Sequence, residues 1–308
     1  MEAQIIRLLA VLTAVCLLLT GCTAKPRYHY DVRQDLGIYF TNADAVIEAI
    51  RNGLRRRDRQ ITISYSSHQD NLDELGTIVR ELMECALDET DSPEEGDYIR
   101  YQYGGYTMHS AYHTDSGIYY YEITILPQYY TTAAEEERVT QRVEEILSAL
   151  GNGAGMTELE RVQAVTEYLR EHVRYDEVHA GNENHHRKTT AYAALIQGQA
   201  VCQGYAAAVY RLLREMGVPV RIVTGMAGEE QTLHAWNLVC VDGLYYNLDL
   251  TWDDRNGDYA CFMKSDADFP SHTRDAAFAT AAFYEAYPMA QESISDLKGE
   301  THEETDDH

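Results

Sequence analysis

A cysteine, a histidine and an aspartate follow one another along the chain as Cys202, His234 and Asp249. Side chains of these types can carry acyl transfer through a thioester: the thiolate attacks an amide carbonyl, the imidazole moves the proton, and the carboxylate orients the imidazole. A buried structural cysteine is the alternative explanation for Cys202 considered by itself. The local sequence therefore has to show that the three side chains can meet.

Cys202 lies at the predicted start of a helix. The residues after it are apolar at steps of three and four, and Gly217 and Pro219 follow the last of them, which indicates where the helix ends. The apolar positions are Ala206, Val209, Tyr210, Leu213 and Met216. Unpaired backbone N–H groups and the positive end of the macrodipole occupy the first turn of a helix, and both favour a thiolate there.

His234 and Asp249 are predicted to share one face of a β-hairpin. Residues 234–241 and 244–250 have the composition of strands, and Asp242-Gly243 between them is a strong signal for a two-residue turn. The register that this turn imposes makes His234 and Asp249 diagonal neighbours on one face, about 7–8 Å apart at the backbone. The carboxylate is then within reach of the imidazole.

Four segments of this region resemble the transglutaminase-like superfamily. They are Thr190-Ala191-Tyr192-Ala193-Ala194-Leu195, Val201-Cys202-Gln203-Gly204-Tyr205-Ala206, His234-Ala235-Trp236-Asn237 and Tyr246-Asn247-Leu248-Asp249-Leu250-Thr251-Trp252-Asp253. The resemblance covers residues 157–264 and matches Cys202, His234 and Asp249 without substitution. It implies an α+β fold with a papain-like core, in which the cysteine-bearing helix packs on an antiparallel sheet. It leaves the activity open, since the family includes transglutaminases, peptidases and amidases.

The other site residues follow from these positions. The backbone N–H of Cys202 is the predicted oxyanion donor, and Gln199 is the candidate for a second donor. The predicted lining of the substrate cleft comprises Gln199, Gln203, Tyr205, Trp236 and Trp252. Packing within the hairpin is the alternative role for the two tryptophans.

Three histidines, His179, His185 and His186, lie in the segment before the predicted cysteine helix. Their spacing fits no regular element, and no thiolate or carboxylate completes a metal site in the sequence. A mobile polar loop at the rim of the active site is the favoured interpretation. Neither a metal nor a cofactor is predicted.

The first residues predict an exported protein. Arg7 precedes an apolar run, residues 8–19, that is too short for a permanent membrane span and has the form of a signal peptide. Leu19-Thr20-Gly21-Cys22 resembles a bacterial lipobox, which implies diacylation of Cys22 and a place on the extracytoplasmic face of the cell membrane. An ordinary signal sequence or an inner anchor is the alternative.

The net charge bears on binding partners, and the cysteine content bears on the state of the thiols. A formal net charge of −25 argues against binding to nucleic acid. Cys16 leaves with the signal peptide, so that Cys85, Cys240 and Cys261 accompany Cys202 and the lipidated Cys22. All three lie in apolar settings and are predicted to be buried thiols, with a bridge between Cys240 and Cys261 left open.

The chain is predicted to have five parts. They are a signal peptide (residues 1–21), a tether (22–35), an α+β region of unknown role (36–150), the transglutaminase-like domain (156–290) and an acidic disordered tail (291–308). The α+β region contains predicted strands at 98–106 and 118–126. Its tyrosines suggest either a groove for sugars or peptides or, as the favoured interpretation, half-buried strands.

The leading hypothesis is an exported, lipid-anchored thiol enzyme acting on amide bonds of proteins or peptides, with cell-wall peptides among the candidate substrates. It is either a cysteine peptidase or amidase, when water resolves the thioester, or a cross-linking transferase, when an amine does. A non-catalytic cell-surface binding or scaffold module on the same fold is the contrasting hypothesis. A third is a carbohydrate- or peptide-binding adaptor centred on the tyrosine-rich region.

Overall fold

The computed structural model describes residues 32–257 and 259–294. The predicted signal peptide, the predicted lipidation site at Cys22 and most of the predicted acidic tail lie outside these residues. Within the described part of the chain, no helix combines the length and the apolar character needed to span a bilayer.

The first half of the described chain is an α+β unit with its own core. Its elements are α1 (Val32–Tyr39), α2 (Ala43–Arg55), β1 (Ile61–Ser67), a 3-10 turn (Leu72–Glu74), α3 (Leu75–Ala86), α4 (Asp97–Arg100), β2 (Tyr103–Asp115), β3 (Ile118–Tyr129) and α5 (Ala133–Ala149). The strands form an antiparallel sheet in the order β1-β3-β2. Ile61, Ile63 and Tyr65 alternate along β1 and are buried in one cluster with apolar residues of α2 and α3.

The second half carries the predicted site. Its elements are α6 (Glu158–His172), β4 (Arg174–Tyr175), a 3-10 turn (His186–Thr189), a π-helical turn (Ala193–Gln197), β5 (Gln199–Ala200), α7 (Cys202–Glu215), β6 (Val220–Ala227), β7 (Thr232–Val241), β8 (Leu244–Leu248), α8 (Leu250–Asn256), β9 (His272–Arg274), a 3-10 turn (Ala276–Phe278) and α9 (Ala281–Ala286). The long strands form an antiparallel sheet in the order β8-β7-β6-β9.

Helix α7 packs on this sheet through the face that the apolar periodicity predicts. Val209, Tyr210 and Leu213 are fully buried in one cluster with Ile222 of β6 and Val239 of β7. Gly217, just after the helix, has a φ of +76°, which suits a glycine at a helix C-terminus. The predicted fold class, α+β with the cysteine-bearing helix on an antiparallel sheet, is confirmed.

The hairpin of β7 and β8 has the predicted register. Val241 pairs with Leu244, and the turn residues Asp242 and Gly243 both have positive φ, as a two-residue turn that matches strand twist requires. The second strand is shorter than predicted. It ends at Leu248, and Asp249 instead caps the N-terminus of α8.

The two halves are joined by a buried ion pair. Arg221 of β6 donates from Nε and Nη2 to the carboxylate of Asp97 at 2.6 and 3.1 Å, and the Ile222 amide donates to the same carboxylate at 2.9 Å. Asp97 begins α4, so the strand predicted from residue 98 is wrong at its start, and β2 begins at Tyr103. Helix α5 also shares its core with α7, and the predicted boundary near residue 150 stays a prediction.

Candidate active site

Cys202 is the first residue of α7, and its side chain is partly exposed. The preceding residue, Val201, has extended backbone, and its carbonyl accepts hydrogen bonds from the Gly204 and Tyr205 amides at 2.9 and 3.1 Å. The Cys202 amide lies ahead of these bonds, where a helix offers no acceptor of its own. The sulfur therefore stands beside backbone donors at the positive end of the helix.

The start of α7 is held by the segment that precedes it. The Val201 amide donates to the Lys188 carbonyl at 3.0 Å. A Cβ on Gly204 would lie 2.8 Å from that carbonyl oxygen and 2.7 Å from the Cβ of Ala200. Because Gly204 has no side chain, the start of α7 can pack closely against the preceding segment. This packing fixes the position of the thiol.

His234 lies on β7 and contacts both of its predicted partners. Its Nε2 is 2.7 Å from Oδ2 of Asp249, and interaction with the Cys202 thiol contributes to raising the pKa of the imidazole. A hydrogen bond also links β7 to α7: Asn237 Nδ2 donates to the carbonyl of Ala206, which lies one helical turn after Cys202, at 3.1 Å. The structure thus brings together the three residues that the sequence predicts to meet.

Asp249 is held on both of its oxygens. Oδ1 accepts the amides of Thr251 and Trp252 at 3.1 and 3.3 Å, which makes Asp249 the N-cap of α8. Oδ2 accepts from His234 at 2.7 Å and from His272 Nε2 at 3.0 Å. The carboxylate is 1% exposed, so its charge is stabilised by these donors and not by water.

His272 is the site residue that the sequence reasoning missed. Its side chain is fully buried, its ring stacks on Phe269 with centroids 3.9 Å apart, and its Nδ1 is 2.9 Å from the Ser271 hydroxyl. It reaches the site on β9, a strand of three residues that pairs with β6. Such a short strand has no periodicity to detect, and His272 belongs to none of the recognisable segments.

The electrostatics of the cluster favour charged side chains. Burial lowers the pKa of His234, but hydrogen bonds and charge interactions with Asp249 and Cys202 outweigh burial and raise the pKa to about 10. Burial raises the pKa of Asp249, and the hydrogen bonds from His234 and His272 outweigh it and hold the pKa below its usual value. At neutral pH the site therefore contains an imidazolium beside the sulfur and a carboxylate behind it.

A family comparison agrees with this geometry. The model of the transglutaminase-like superfamily matches residues 147–250, a segment that includes Cys202, His234 and Asp249. Residues 147–250 belong to the transglutaminase-like superfamily. Helix α7 and the hairpin of β7 and β8 lie within this match, whereas His272 lies beyond it.

The transglutaminase-like domain also has named relatives. The kyphoscoliosis peptidase of Mus musculus is 29% identical over 130 residues, covering 39% of this chain and 19% of that protein. The kyphoscoliosis peptidase of Homo sapiens is 30% identical over 106 residues, covering 31% of this chain and 16% of that protein. The chain thus spans less than a fifth of the length of these relatives.

Similarity to solved structures is weaker. A crystal structure of a TGase matches with a TM-score of 0.36 and 18% identity, covering 46% of this chain and 44% of the other. The family assignment rests on the match of residues 147–250.

The predicted cleft residues divide into buried and accessible ones. Tyr205 and Trp236 are each 1% exposed, so their predicted place in the cleft is wrong: the Tyr205 hydroxyl donates to Asp254, and Trp236 packs against Phe269. Trp236 also donates from Nε1 to Oδ1 of Asn247 in β8 at 3.1 Å, which is a contact within the hairpin. Trp252 is half-buried, with its ring centroid 5.9 Å from that of His234.

The two glutamines differ in their surroundings. Gln203 is half-buried, and its side-chain amide donates to the Tyr101 carbonyl of the first unit. Gln199 is exposed and pairs with Arg174 through the short strands β4 and β5. Its role as an oxyanion donor stays a prediction.

Two open cavities flank α8 beside the transglutaminase-like site. One of about 490 Å³ is lined by Trp252 together with Glu229 and Glu230 of the turn between β6 and β7. The other, of about 940 Å³, is lined by Tyr175 and by side chains of both charges. Arg255 borders both cavities, and neither cavity is lined by Cys202, His234 or Asp249.

The remaining described cysteines stand apart from this chemistry. Cys85, Cys240 and Cys261 are buried thiols, as predicted, and none of the four described cysteines forms a disulfide. Cys240 and Cys261 pack in one apolar cluster without a bridge.

Proposed function

We propose that this chain is a cysteine-dependent enzyme that cleaves amide bonds of proteins or peptides through a thioester on Cys202. The observation that carries the proposal is the position of the His234 imidazole, whose Nε2 lies 2.7 Å from Asp249 and whose pKa is raised by interaction with both Asp249 and Cys202. A nucleophile, a base and an orienting carboxylate in one series of contacts are the parts that thiol acyl transfer needs. The family match of residues 147–250 supports the same class of chemistry.

In this proposal, acylation begins with Cys202 as a thiolate and His234 as an imidazolium. The Cys202 sulfur attacks the carbonyl carbon of the amide, an S–C bond forms, and the electron pair of the C=O bond moves to oxygen. When the tetrahedral intermediate collapses, the C–N bond breaks, and the departing nitrogen takes the proton of the His234 imidazolium. A thioester and a neutral imidazole remain.

Deacylation reverses the role of His234. The neutral imidazole accepts a proton from water as the water oxygen attacks the thioester carbonyl. Collapse of this second intermediate breaks the S–C bond and releases the carboxylic acid, and the Cys202 thiolate and the His234 imidazolium are restored. Asp249 keeps the ring oriented in both steps and stabilises its charged form.

Backbone amides supply the oxyanion site in this proposal. The Cys202 amide stands at the first turn of α7, beside the sulfur and ahead of the first hydrogen bonds of the helix. Such a donor stabilises negative charge that develops on the carbonyl oxygen, and removal of one donor typically lowers kcat by roughly 100- to 1,000-fold.

Water is the proposed acceptor, because the two curated relatives are named peptidases. The cavities beside α8 offer a substrate both positive and negative groups, including Arg255, Glu229 and Glu230. Such a lining suits a polar peptide segment better than an apolar one.

We further propose that a lipid on Cys22 holds the enzyme on the extracytoplasmic face of the cell membrane. The sequence Leu19-Thr20-Gly21-Cys22 after an apolar run supports this. Surface proteins and cell-wall peptides are then the accessible substrates. Cells fed radiolabelled fatty acid should label the wild-type protein and not the Cys22→Ala variant. Equal labelling of both would refute the anchor.

The enzymatic proposal is tested by thiol reactivity and by turnover together. At neutral pH, iodoacetamide should alkylate Cys202 before Cys85, Cys240 or Cys261, and His234→Ala should slow alkylation of Cys202 at least about tenfold, because the neighbouring cation is lost. The His234→Ala comparison matters because Cys202 is also the most exposed of the four thiols. An unchanged alkylation rate in His234→Ala would contradict the pairing of a Cys202 thiolate with a His234 imidazolium.

Turnover distinguishes the three functions. The wild-type chain should release fragments from a mixture of protein and cell-wall peptide substrates, and Cys202→Ala should release none. Incorporation of a fluorescent amine into a glutamine-containing protein, without release of fragments, would select a cross-linking transferase. An equal background from wild type and Cys202→Ala in both assays would select a non-catalytic module.

A further inference from the structure

A second cluster of ligand-type side chains lies outside the Cys202, His234 and Asp249 site. The carboxylate of Asp176 and the imidazoles of His179 and His185 each place a donor atom within 4.8 Å of the other two. His179 Nδ1 is 2.8 Å from Oδ2 of Asp176, and the two imidazole rings stack with centroids 4.2 Å apart. Two imidazole nitrogens and one carboxylate thus converge on a small volume.

The composition of the cluster differs from what the sequence indicates. His186, the third histidine of the segment, points elsewhere and stacks on Tyr130 with centroids 4.6 Å apart. Asp176 takes its place; it follows β4 directly and is only 5% exposed. From the sequence there was no reason to expect a metal site, because no carboxylate was evident near the three histidines. In the structure, a residue outside the histidine segment supplies that carboxylate.

The segment that carries the cluster is tightly folded. The ammonium group of Lys188, a buried residue, donates to the carbonyls of His179, Ala180 and Asn182 at 2.7 to 2.8 Å. The His179 amide donates to Oδ1 of Asp176 at 3.1 Å. These bonds fix the backbone of the turn, so the ligand side chains need only small rotations to adjust to an ion.

Charge and access also suit a cation. Among residues 32–257 and 259–294, no lysine or arginine forms an ion pair with Asp176, whose ion-pair partner is His179. The Asp176 side chain is 7% exposed and that of His179 40% exposed, so the carboxylate is buried while the imidazole side is open to solvent. A buried carboxylate next to accessible imidazoles is the arrangement in which a cation adds a compensating charge.

The geometry points to a binding site for a divalent transition-metal ion of the zinc class, with Asp176, His179 and His185 as ligands and water in the fourth position. Zinc–ligand bonds of about 2.0–2.2 Å place neighbouring donors roughly 3.3 Å apart. The donors of this cluster span 2.8 Å to at most 4.8 Å. Binding replaces the hydrogen bond between His179 and Asp176, and its proton passes to solvent or to Nε2 of the ring.

The position of the site couples it to the thiol helix. The Asp176 amide donates to the Ala200 carbonyl at 3.0 Å, two residues before Cys202. The Lys188 carbonyl accepts from Val201, one residue before Cys202. An ion that joins the two ends of the turn, at Asp176 and His185, therefore stabilises the segment against which the start of α7 packs.

The test uses the Cys202→Ala chain, which removes the thiol as a competing ligand, together with two matched substitutions. Titration with Co²⁺, followed by visible absorbance, and with Zn²⁺ against a chromophoric chelator should find one ion per chain. His185→Gln should weaken binding by more than about 100-fold, since loss of a supporting residue alone costs 10- to 100-fold. His186→Gln is the matched control and should leave the affinity for the ion unchanged. Zn²⁺ should raise the Tm of the His186→Gln variant and should not raise that of the His185→Gln variant.

Three outcomes would overturn the site. They are no binding of either ion, equal binding by His185→Gln and His186→Gln, and an absorbance spectrum that His185→Gln leaves unaltered. The last outcome would place the ion elsewhere, for instance on His234, Asp249 and His272. Asp176→Asn gives a second readout, because the amide oxygen still accepts the His179 N–H while the charge is lost, and it should also weaken binding.

Discussion

The imidazoles of His234 and His272 meet at the same oxygen of one carboxylate, Oδ2 of Asp249, at 2.7 and 3.0 Å. The other oxygen accepts two amides at the start of α8. Asp249 therefore has little freedom to rotate, and the direction in which it holds the His234 ring is set by a helix, a hairpin and β9 together. Four donors on one buried carboxylate also explain why it stays ionised.

We predict that His272→Phe impairs the enzyme through Asp249. Phenylalanine preserves the stacking on Phe269 but removes the donor to Oδ2, and loss of a hydrogen bond to a buried charge costs about 1–3 kcal/mol of the free energy of unfolding. We expect kcat to fall about tenfold or more while KM changes little. Urea unfolding and steady-state kinetics measure the two effects.

His272→Gln is the matched control, since its Nε2 can donate from nearly the same place as Nε2 of the histidine. It should recover much of the stability and of kcat. Equal activity of His272→Phe and wild type would show that His272 only fills space.

We predict that Asp249→Asn separates the structural and chemical roles of the residue. Asparagine is as good an N-cap as aspartate, so α8 should keep its start and the fold should persist. The charge that stabilises the His234 imidazolium is lost, and kcat should fall by roughly 100- to 10,000-fold. Circular dichroism and kinetics measure both.

Asp249→Ala removes the cap as well and should be less stable than Asp249→Asn by about 0.5–2 kcal/mol. If Asp249→Asn retained more than half of the wild-type kcat, Asp249 would have no part in orienting the base.

The contacts that local patterns determine were predictable from the sequence. The apolar spacing after Cys202 fixes a helix, and Asp242-Gly243 fixes the register that brings His234 near Asp249. The end of β8 was predicted wrongly at Asp249, although an aspartate before a helix is a common N-cap signal. Alternation of apolar residues with period two predicts a strand, but it does not show that the strand ends where the side chain of Asp249 caps the next helix.

Contacts made by distant segments were not predictable. His272 reaches Asp249 only because β9 pairs with β6, and a three-residue strand has too few side chains to give a pattern. Alternation places Trp236 on the same face of the sheet as His234. It does not show that Phe269 packs against Trp236. Such coverage depends on how loops fold over the sheet.

We predict that the pH dependence of amide cleavage and of alkylation diverges at high pH. The pKa of His234 is raised to about 10, so above this value the imidazole loses the proton that the departing amine needs. Cleavage should therefore decline above pH 10, whereas alkylation of Cys202 by iodoacetamide, which needs only the thiolate, should not. Rates measured from pH 7 to 11 test this.

The same raised pKa has a consequence for stability. A group with a pKa that is higher in the folded state contributes fully below its unfolded value of 6.5 and progressively less as pH rises towards 10. His234→Gln should flatten this part of the stability profile. A parallel decline of cleavage and alkylation would contradict the role of His234 as the proton donor, and near-ultraviolet circular dichroism shows whether the protein stays folded over this pH range.

We predict that Gly204→Ala displaces the thiol. The added Cβ would lie 2.7 Å from the Ala200 Cβ and 2.8 Å from the Lys188 carbonyl oxygen, and neither atom is the end of a flexible side chain. Overpacking of this kind costs about 1–3 kcal/mol, more than the helix propensity that alanine adds. Urea unfolding should show the loss, and kcat should fall even where the protein is fully folded, because α7 must shift relative to His234.

Gly76→Ala is the matched control, because Gly76 also lies in a helix, α3, and has no atom within 4 Å of its added Cβ. It should leave kcat unchanged and raise the free energy of unfolding by up to about 1 kcal/mol. Both variants add one methyl group to a helical glycine, so a difference between them reports the space at the start of α7 and not the propensity of alanine. Equal stability and equal kcat in the two variants would mean that the segment before Cys202 yields freely, and that the position of the sulfur does not depend on it.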